Sequence, residues 1–173
     1  IGIRHLCKAR LKAEAQRVAG RDADQELLPR LTESEVAEQV EAANEQHYEV
    51  PAAFYEQVLG PHLKYSSGHW DETTNDLGAA EQSALDITID RAEIEDGQDI
   101  LELGCGWGSL TLEMAKRFPQ ARITAVSNSA SQRRFITERL EAAGRTDVRI
   151  ITANMAHFEP EGRFDRIVSV EMM

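Results

Sequence analysis

Apolar positions recur with a helical period through the first half of the chain. Residues 1–17 are predicted to form a helix because apolar side chains repeat every four residues, at Ile3, Cys7 and Leu11. Farther on, the run Thr-Glu-Ser-Glu at 32–35 has the Thr-x-x-Glu spacing of a capping box, in which two side chains satisfy the first free amides of a helix. This run predicts a helix that begins at Thr32 and continues to about residue 46.

Two further helices are predicted before residue 92. Pro51 suits the first turn of one helix, where its missing N–H leaves no bond unmade, and Gly60-Pro61 ends that helix. Its apolar side consists of Phe54, Tyr55, Val58 and Leu59. The other helix runs from about Asp76 to Arg91, and the side chains expected to face inward are Leu77, Ala80, Ala84, Leu85 and Ile87.

From Asp99 onward, short apolar runs alternate with helical stretches. The predicted strands cover 99–103, 122–126, 148–151 and 164–170, and the helices between them cover 109–117 and the stretch from a Ser129 cap to Gly144. This alternation is typical of right-handed crossovers and a parallel sheet. The sequence therefore predicts a doubly wound, Rossmann-like α/β fold, with a helical segment at 1–92 followed by the α/β unit at 93–173.

The last predicted strand is too apolar to make a good sheet edge. It contains Ile167, Val168 and Val170, and an apolar edge strand invites unwanted pairing. Parallel strands are also normally covered on both faces. We therefore expect further C-terminal strands that these 173 residues do not contain.

Composition narrows the class of protein. Of the 173 residues, 42% are apolar and 28% are charged, and no run approaches the roughly 20 apolar residues of a membrane-spanning helix. The two cysteines, Cys7 and Cys105, support neither a disulfide scaffold nor a zinc finger, so we expect no metal site and a reducing, cytoplasmic setting. The net charge of −11 argues against a nucleic-acid partner.

Charge is distributed unevenly along the chain. Residues 1–17 carry five Lys/Arg against one Glu, whereas residues 22–56 carry ten acidic residues and a single Arg. A basic helix at 1–17 can make peripheral contact with an anionic membrane, or it can pack on its own domain. Both interpretations stay open, and the sequence does not indicate an oligomeric state.

A glycine-rich loop after the first predicted strand carries the strongest chemical signal. Gly104, Gly106 and Gly108 have the spacing G-x-G-x-G, which differs from the G-x-G-x-x-G of dinucleotide enzymes. No carboxylate ends the next strand to bind a ribose, and no Gly-Lys-Ser/Thr is present for a nucleoside triphosphate. Glu102 places a negative charge beside the loop, where a ligand with an amino group or a sulfonium is stabilised. Together these features favour S-adenosylmethionine.

The segment around this loop resembles a known family. Leu-Glu-Leu-Gly-Cys-Gly-Trp-Gly-Ser-Leu-Thr at 101–111 is similar to the first motif of class I methyltransferases. More narrowly, it is similar to the group containing cyclopropane fatty acyl phospholipid synthases, mycolic acid methyltransferases and coclaurine-type N-methyltransferases. The resemblance covers about residues 44–173, and the stretches that agree are 47–50, 54–55, 63–70, 124–129, 131–132 and 169–172.

This resemblance implies a class I methyltransferase sheet that binds S-adenosylmethionine, with the segment 1–92 as a cap and lid. It implies that Tyr65 and Ser66 contact the methionine end of the cofactor. Ser127 and Gln132 would make the ribose contacts that a carboxylate makes in most class I enzymes, and residues 154–155 would lie beside the adenine. The residues expected at the cofactor are Tyr65, Ser66, Glu102, Gly104, Cys105, Gly106, Gly108, Ser127, Asn128, Gln132, Asn154 and Met155.

Two residues are candidates for the chemistry at the acceptor. The resemblance places Glu171 where the coclaurine-type branch faces its substrate amine, and His69 is the other group able to assist loss of a proton. The cyclopropane-forming branch usually has Cys at the position of Ser67, and its Tyr–aromatic pair is His69-Trp70 here. The expected function is methyl transfer to a small molecule, with an amine as the acceptor. The alternatives are cyclopropane-synthase-type methylation of unsaturated lipid acyl chains, and a cofactor-binding fragment without turnover.

Overall fold

The structure is a computed structural model that describes residues 2–20, 23–33 and 50–172. Contacts within the chain divide it into two units, Ile1–Glu38 and Gln39–Met173. This division differs from the expected boundary at residue 92, because the helices between residues 50 and 92 belong to the same unit as the sheet. The assignment of residues 1–92 as a cap and lid stays a prediction.

The first unit begins with helix α1 (Gly2–Val18), which confirms the helix predicted at 1–17. None of its residues is buried, and its large apolar side chains are exposed, at Ile3, Leu6 and Leu11. No helix within the described ranges combines the length and apolarity needed to cross a bilayer.

Helix α2 (Ala23–Glu33) follows, and Thr32 lies in its last turn. The prediction that Thr32 begins a helix is therefore wrong. Its hydroxyl donates to the carbonyls of Leu28 and Pro29 at 3.2 and 2.8 Å, a bond back into the preceding turn that replaces the expected capping bond. The remainder of that predicted helix, from residue 34 to residue 46, lies outside the described residues.

Helices α3 (Ala52–Val58) and α4 (Leu77–Arg91) begin the described part of the second unit. Both lie where the sequence predicts helices. Pro51 is the N-cap of α3, whose buried side is narrower than predicted because only Tyr55 is buried. Phe54 and Val58 are 52% and 50% exposed.

Helix α4 is capped by Asp76, whose carboxylate accepts a hydrogen bond from the amide of Ala79 at 2.8 Å. Leu77, in the first turn, is exposed and not inward-facing as predicted. The predicted Ala84 and Ile87 are only partly buried. The buried residues of the helix are Ala80, Glu81, Leu85 and Ile89.

A four-stranded parallel sheet forms the centre of this unit. Its strands are β1 (Asp99–Leu103), β2 (Arg122–Ser127), β3 (Arg149–Thr152) and β4 (Arg166–Ser169), in the order β3-β2-β1-β4. Helix α5 (Ser109–Arg117) connects β1 to β2, and α6 (Ala130–Ala142) connects β2 to β3. The order shows that the chain leaves the centre in one direction and returns to the other side of β1, which confirms the predicted doubly wound α/β fold.

The core lies between this sheet and its helices. β1 and β2 contribute residues that are almost completely buried, as parallel strands covered on both faces require. The main core residues are Leu85, Ile89, Ile100, Met114, Ile123, Ala125, Ile136, Leu140 and Ile150.

Close packing of α6 on the glycine loop requires glycine at position 108. Gly108 has a φ of +84° at the N-cap of α5, a conformation that side chains disfavour. A Cβ at this position would lie 2.7 Å from Cγ1 of Ile136, a buried residue of α6. Backbone conformation and space therefore both exclude a side chain here.

We predict that Gly108→Ala destabilises the fold more than Gly97→Ala. Gly97 has the same φ of +84°, but a Cβ there would meet nothing within 4 Å, so its substitution isolates the backbone cost, about 1 to 2 kcal/mol. The collision with Ile136 adds roughly 1 to 3 kcal/mol at position 108. Urea unfolding of the single variants and of Gly108→Ala in an Ile136→Ala background measures both contributions. Equal losses for the two glycine variants would contradict a packing role for Gly108.

Candidate functional site

A cavity of about 330 Å³ opens at the carboxyl ends of β1 and β2. This is the edge of a doubly wound sheet where ligands bind. The cavity is bounded by the glycine loop after β1, the end of β2 and two segments from outside the sheet, 63–66 and 170–172. All four belong to the second unit.

The glycine loop is fixed to β2 by a single carbonyl. The amides of Gly104 and Cys105 both donate to the carbonyl oxygen of Val126, each at 2.9 Å. Gly104 has a φ of +79°, and a side chain there would overlap Met172. Gly106 has a φ of +53°, but a Cβ there would meet nothing within 4 Å. The backbone at Gly106 is therefore open to a ligand.

Glu102 contributes a buried carboxylate to the wall of the cavity. It lies on β1, and its Oε2 accepts a hydrogen bond from the hydroxyl of Thr111 at 2.5 Å. Burial raises the pKa of Glu102 to about 7, and the bond from Thr111 only partly offsets this effect. Burial also raises the pKa of the neighbouring Cys105 thiol well above its usual value. A cation placed in the cavity would favour the ionised form of Glu102.

The end of β2 presents a buried amide side chain. Ser129 caps α6 as predicted, accepting from the amide of Gln132 at 3.3 Å, while the hydroxyl of Ser127 donates to Oε1 of Gln132 at 2.6 Å. The Gln132 side chain is 1% exposed, and its Nε2 has no hydrogen-bond partner among the described residues. Because an unpaired buried donor is costly, this nitrogen is a suitable contact for a ligand oxygen.

A buried carboxylate shapes the segment that closes the other side of the cavity. Glu81 of α4 accepts hydrogen bonds from the amides of Gly60, His62 and Lys64 at 3.0, 2.9 and 3.2 Å. These three hydrogen bonds offset the cost of burying the Glu81 carboxylate. They also stabilise the turn in which Leu63 has a φ of +52°.

Lys64 follows in this segment and is 7% exposed. Its Nζ donates to the hydroxyl of Ser66 and, at 2.9 Å, to the carbonyl of Ser67. Burial lowers the pKa of Lys64, and the charges of Glu171 and Glu81 oppose this shift. Lys64 is not among the predicted site residues, although it lies in the stretch 63–70 that agrees with the family.

Glu171 reaches the cavity from the end of β4. It has a φ of +55°, and its Oε1 accepts hydrogen bonds from the amide and hydroxyl of Ser67 at 3.0 and 2.6 Å. These bonds, assisted by the charge of Lys64, lower the pKa of Glu171. The carboxylate is therefore ionised at neutral pH.

Aromatic side chains enclose the glycine loop. Trp107 is 1% exposed and packs against Tyr55 and Phe135, with ring centroids 4.8 and 5.3 Å apart. Tyr65 packs on the edge of Tyr55 at 5.1 Å and is itself half exposed. Helix α3 thereby lies against the loop.

The structure brings most of the predicted site residues together around the cavity. Those that line it are Tyr65, Ser66, Glu102, Gly104, Cys105, Gly106, Ser127, Asn128, Gln132, Met155 and Glu171. Three do not line it. Gly108 packs on Ile136, and Asn154 caps the short 3₁₀ turn Met155–His157 by accepting from the amide of Ala156 at 3.0 Å. His69 is exposed, and its Nδ1 is bonded to the hydroxyl of Ser83 on α4 at 3.0 Å.

Other residues line the cavity without having been predicted to do so. Lys64 and Ser109 lie within the stretches 63–70 and 101–111 that the sequence identifies, so their position is a usable signal. Leu85 and Thr88 carry no comparable signal, because only the packing of α4 brings them to the cavity.

Comparison with known proteins supports the resemblance. Residues 35–173 match the family described as mycolic acid cyclopropane synthetase. Pavine N-methyltransferase from Thalictrum flavum subsp. glaucum is 37% identical over 139 residues, which cover 80% of this chain and 39% of that protein. Cyclopropane-fatty-acyl-phospholipid synthase from Escherichia coli (strain K12) is 32% identical over 127 residues, which cover 73% of this chain and 31% of that protein.

A solved structure agrees with the fold in detail. The crystal structure of coclaurine N-methyltransferase bound to N-methylheliamine and SAH matches with a TM-score of 0.87 at 33% identity, covering 98% of this chain and 51% of that chain. The predicted class I methyltransferase fold is thereby confirmed. This chain spans less than half the length of the curated relatives it matches. Since the family's sequence pattern extends over residues 35–173, the chain belongs to the mycolic acid cyclopropane synthetase family.

Proposed function

We propose that this protein is an S-adenosylmethionine-dependent methyltransferase whose acceptor is a small molecule bearing an amine. The observation that carries the proposal is the cavity beside the glycine loop, where an open backbone and an unpaired buried amide face a space of about 330 Å³. A volume of this order is typical of small-molecule sites. The likeness to coclaurine N-methyltransferase, whose crystal contained N-methylheliamine and SAH, supports the choice of an amine.

The residues around the cavity fit a cationic, sugar-bearing cofactor. Gly106 allows close approach to the backbone, and Gln132 offers its unpaired Nε2 to a hydroxyl or ring oxygen. Glu102 offers a carboxylate to an amino group. When bound, S-adenosylmethionine supplies a methyl group that is already activated by its positively charged sulfur.

We assign the remaining contacts by position in the family. Tyr65 and Ser66 hold the methionine end, Ser127 and Gln132 hold the ribose, and Met155 lies beside the adenine. Asn154, also expected beside the adenine, instead acts on the cofactor only through the turn that it caps. The buried aromatic cluster around Trp107 keeps water away from the bound cofactor.

Glu171 is the residue we assign to the acceptor. A carboxylate at this position binds the ammonium form and orients it. The amine must be unprotonated when it attacks, and the carboxylate can accept the proton that the nitrogen gives up before its lone pair attacks the methyl group. His69 is the other candidate from the sequence. Because the ring of His69 is hydrogen-bonded to Ser83 outside the cavity, we assign contact with the acceptor to Glu171 and not to His69.

The cytoplasmic location stays a prediction.

A methyl-transfer assay distinguishes an amine acceptor from a lipid acceptor. We expect the protein, incubated with methyl-labelled S-adenosylmethionine, to label a pool of small secondary amines and not vesicles of unsaturated phospholipid. Label found only in the lipid would favour the cyclopropane-synthase alternative. Two observations support that alternative: the similarity to the E. coli synthase and the exposed basic helix α1. Cofactor binding without label in either pool would support a binding fragment.

We predict that Gly106→Leu abolishes cofactor binding, because the leucine fills the space beside the loop. Gly144→Leu is the matched control, since Gly144 also has a positive φ and no atom within 4 Å of a Cβ, but it does not line the cavity. Calorimetry with S-adenosylmethionine measures both variants. Unchanged affinity in Gly106→Leu would contradict the proposed site.

We also predict that Glu102 makes cofactor affinity depend on pH. Its pKa of about 7 in the free protein means that it is mostly ionised at about pH 8 and mostly protonated at about pH 6. Cofactor affinity should therefore fall by up to about tenfold when the pH is lowered from about 8 to about 6, relative to the affinity of the Glu102→Gln variant at the same two pH values. Titration of the ligand is common to both proteins, so the ratio of their affinities isolates Glu102. A constant ratio would show that Glu102 does not contact the cation.

A further inference from the structure

The contact between Ser67 and Glu171 joins two segments that are 104 residues apart. Both donors of Ser67, its amide and its hydroxyl, point at the same carboxylate oxygen, at 3.0 and 2.6 Å. The other oxygen, Oε2, has no hydrogen-bond partner among the described residues. One end of the carboxylate is therefore fixed, and the other is left for a ligand in the cavity that Glu171 lines.

Ser67 is itself fixed from the opposite side. The Nζ of Lys64 donates to the carbonyl of Ser67 at 2.9 Å, and the amide of Lys64 donates to the buried Glu81 at 3.2 Å. The connection thus runs from α4 through the segment 64–67 to the residue after β4. Glu171, at the end of this connection, has a left-handed φ of +55°.

Within the described part of the chain, three charged side chains line the cavity: Lys64, Glu102 and Glu171. The ammonium of Lys64 is engaged by Ser66 and Ser67, and the two carboxylates give the cavity a net charge of −1 when both are ionised. Two separate carboxylates suit a site in which one faces a cationic group of the cofactor and the other faces the cationic group of the acceptor.

We propose that Ser67 and Lys64 are positioning residues that hold Glu171 in place to bind the ammonium group of the acceptor. The proposal rests on the proposed function, because it assigns the amine class of acceptor to the same site. Ser67 acts by direct hydrogen bonds, and Lys64 acts through the carbonyl of Ser67 and through its charge. A neutral acceptor of the same shape gains nothing from this arrangement.

The experiment compares Ser67→Ala with Ser67→Thr, which keeps the hydroxyl. Ser83→Ala is the matched control. The hydroxyl of Ser83 is also hydrogen-bonded to a neighbouring side chain, that of His69, but Ser83 does not line the cavity. The probes are N-methylbenzylamine and its neutral counterpart benzyl methyl ether, each titrated into protein saturated with S-adenosylhomocysteine. Carbon-detected NMR of glutamate-labelled protein follows the Glu171 carboxyl, assigned with Glu171→Gln.

We expect Ser67→Ala to weaken amine binding between about threefold and tenfold, less than the full effect of a hydrogen bond to a charged group, because the Ser67 amide still donates to the carboxylate. The pKa of Glu171 should rise toward its ordinary value, since the bond from the Ser67 hydroxyl lowers it. Binding of the ether and of S-adenosylhomocysteine should not change, and Ser67→Thr and Ser83→Ala should behave as the unaltered protein. Lys64→Met should also raise the pKa of Glu171, provided that it still binds S-adenosylhomocysteine.

The outcomes separate this proposal from the function on which it rests. If the unaltered protein does not bind S-adenosylhomocysteine, the proposed function fails. If it binds S-adenosylhomocysteine but Ser67→Ala leaves both the amine affinity and the pKa of Glu171 unchanged, the positioning role of Ser67 is overturned. Equal weakening of the amine and the ether in Ser67→Ala would likewise overturn it, because that result indicates lost shape and not lost charge.

Discussion

The carbonyl of Val126 is the point on which the glycine loop depends. By accepting from two successive amides, those of Gly104 and Cys105, it turns the chain sharply after β1 and joins that turn to β2. Such a turn requires left-handed conformations, and glycine supplies them without strain. The same turn places Gly106 beside empty space and starts α5 within packing distance of α6. Fold and candidate site therefore share one local constraint.

Two buried carboxylates show how similar residues come to different roles. Glu81 accepts hydrogen bonds from three backbone amides, and these bonds compensate the burial of its carboxylate. The same bonds stabilise the segment after α3. Glu102 accepts one hydrogen bond, from the hydroxyl of Thr111, and its pKa rises to about 7 because this bond only partly offsets the effect of burial. A compensated buried charge is structural, whereas an uncompensated one beside a cavity is suited to a cationic ligand.

Local patterns explain what can be predicted from the sequence. The predicted bounds of β1 and α5 are correct because a glycine loop separates a short apolar run from a helical one, and the Ser129 cap marks the start of α6. The prediction at Thr32 is wrong because a Thr-x-x-Glu spacing also occurs at the end of a helix. The burial of Glu81 and the bond between His69 and Ser83 follow from the packing of α4, which no local pattern encodes.

The two ends of the cavity also differ in whether they are formed by local sequence patterns or by contacts between distant segments. The end proposed to bind the cofactor is built largely from the glycine loop and the end of β2, so local sequence patterns indicate it. The end proposed to bind the acceptor is formed where Ser67 meets Glu171, across 104 positions of the chain. A substitution of Ser67 changes that contact and leaves the residues of the glycine loop unaltered. Proteins similar to this chain include both a pavine N-methyltransferase and a cyclopropane-fatty-acyl-phospholipid synthase, and a cavity whose two ends are formed by separate parts of the chain is consistent with that range.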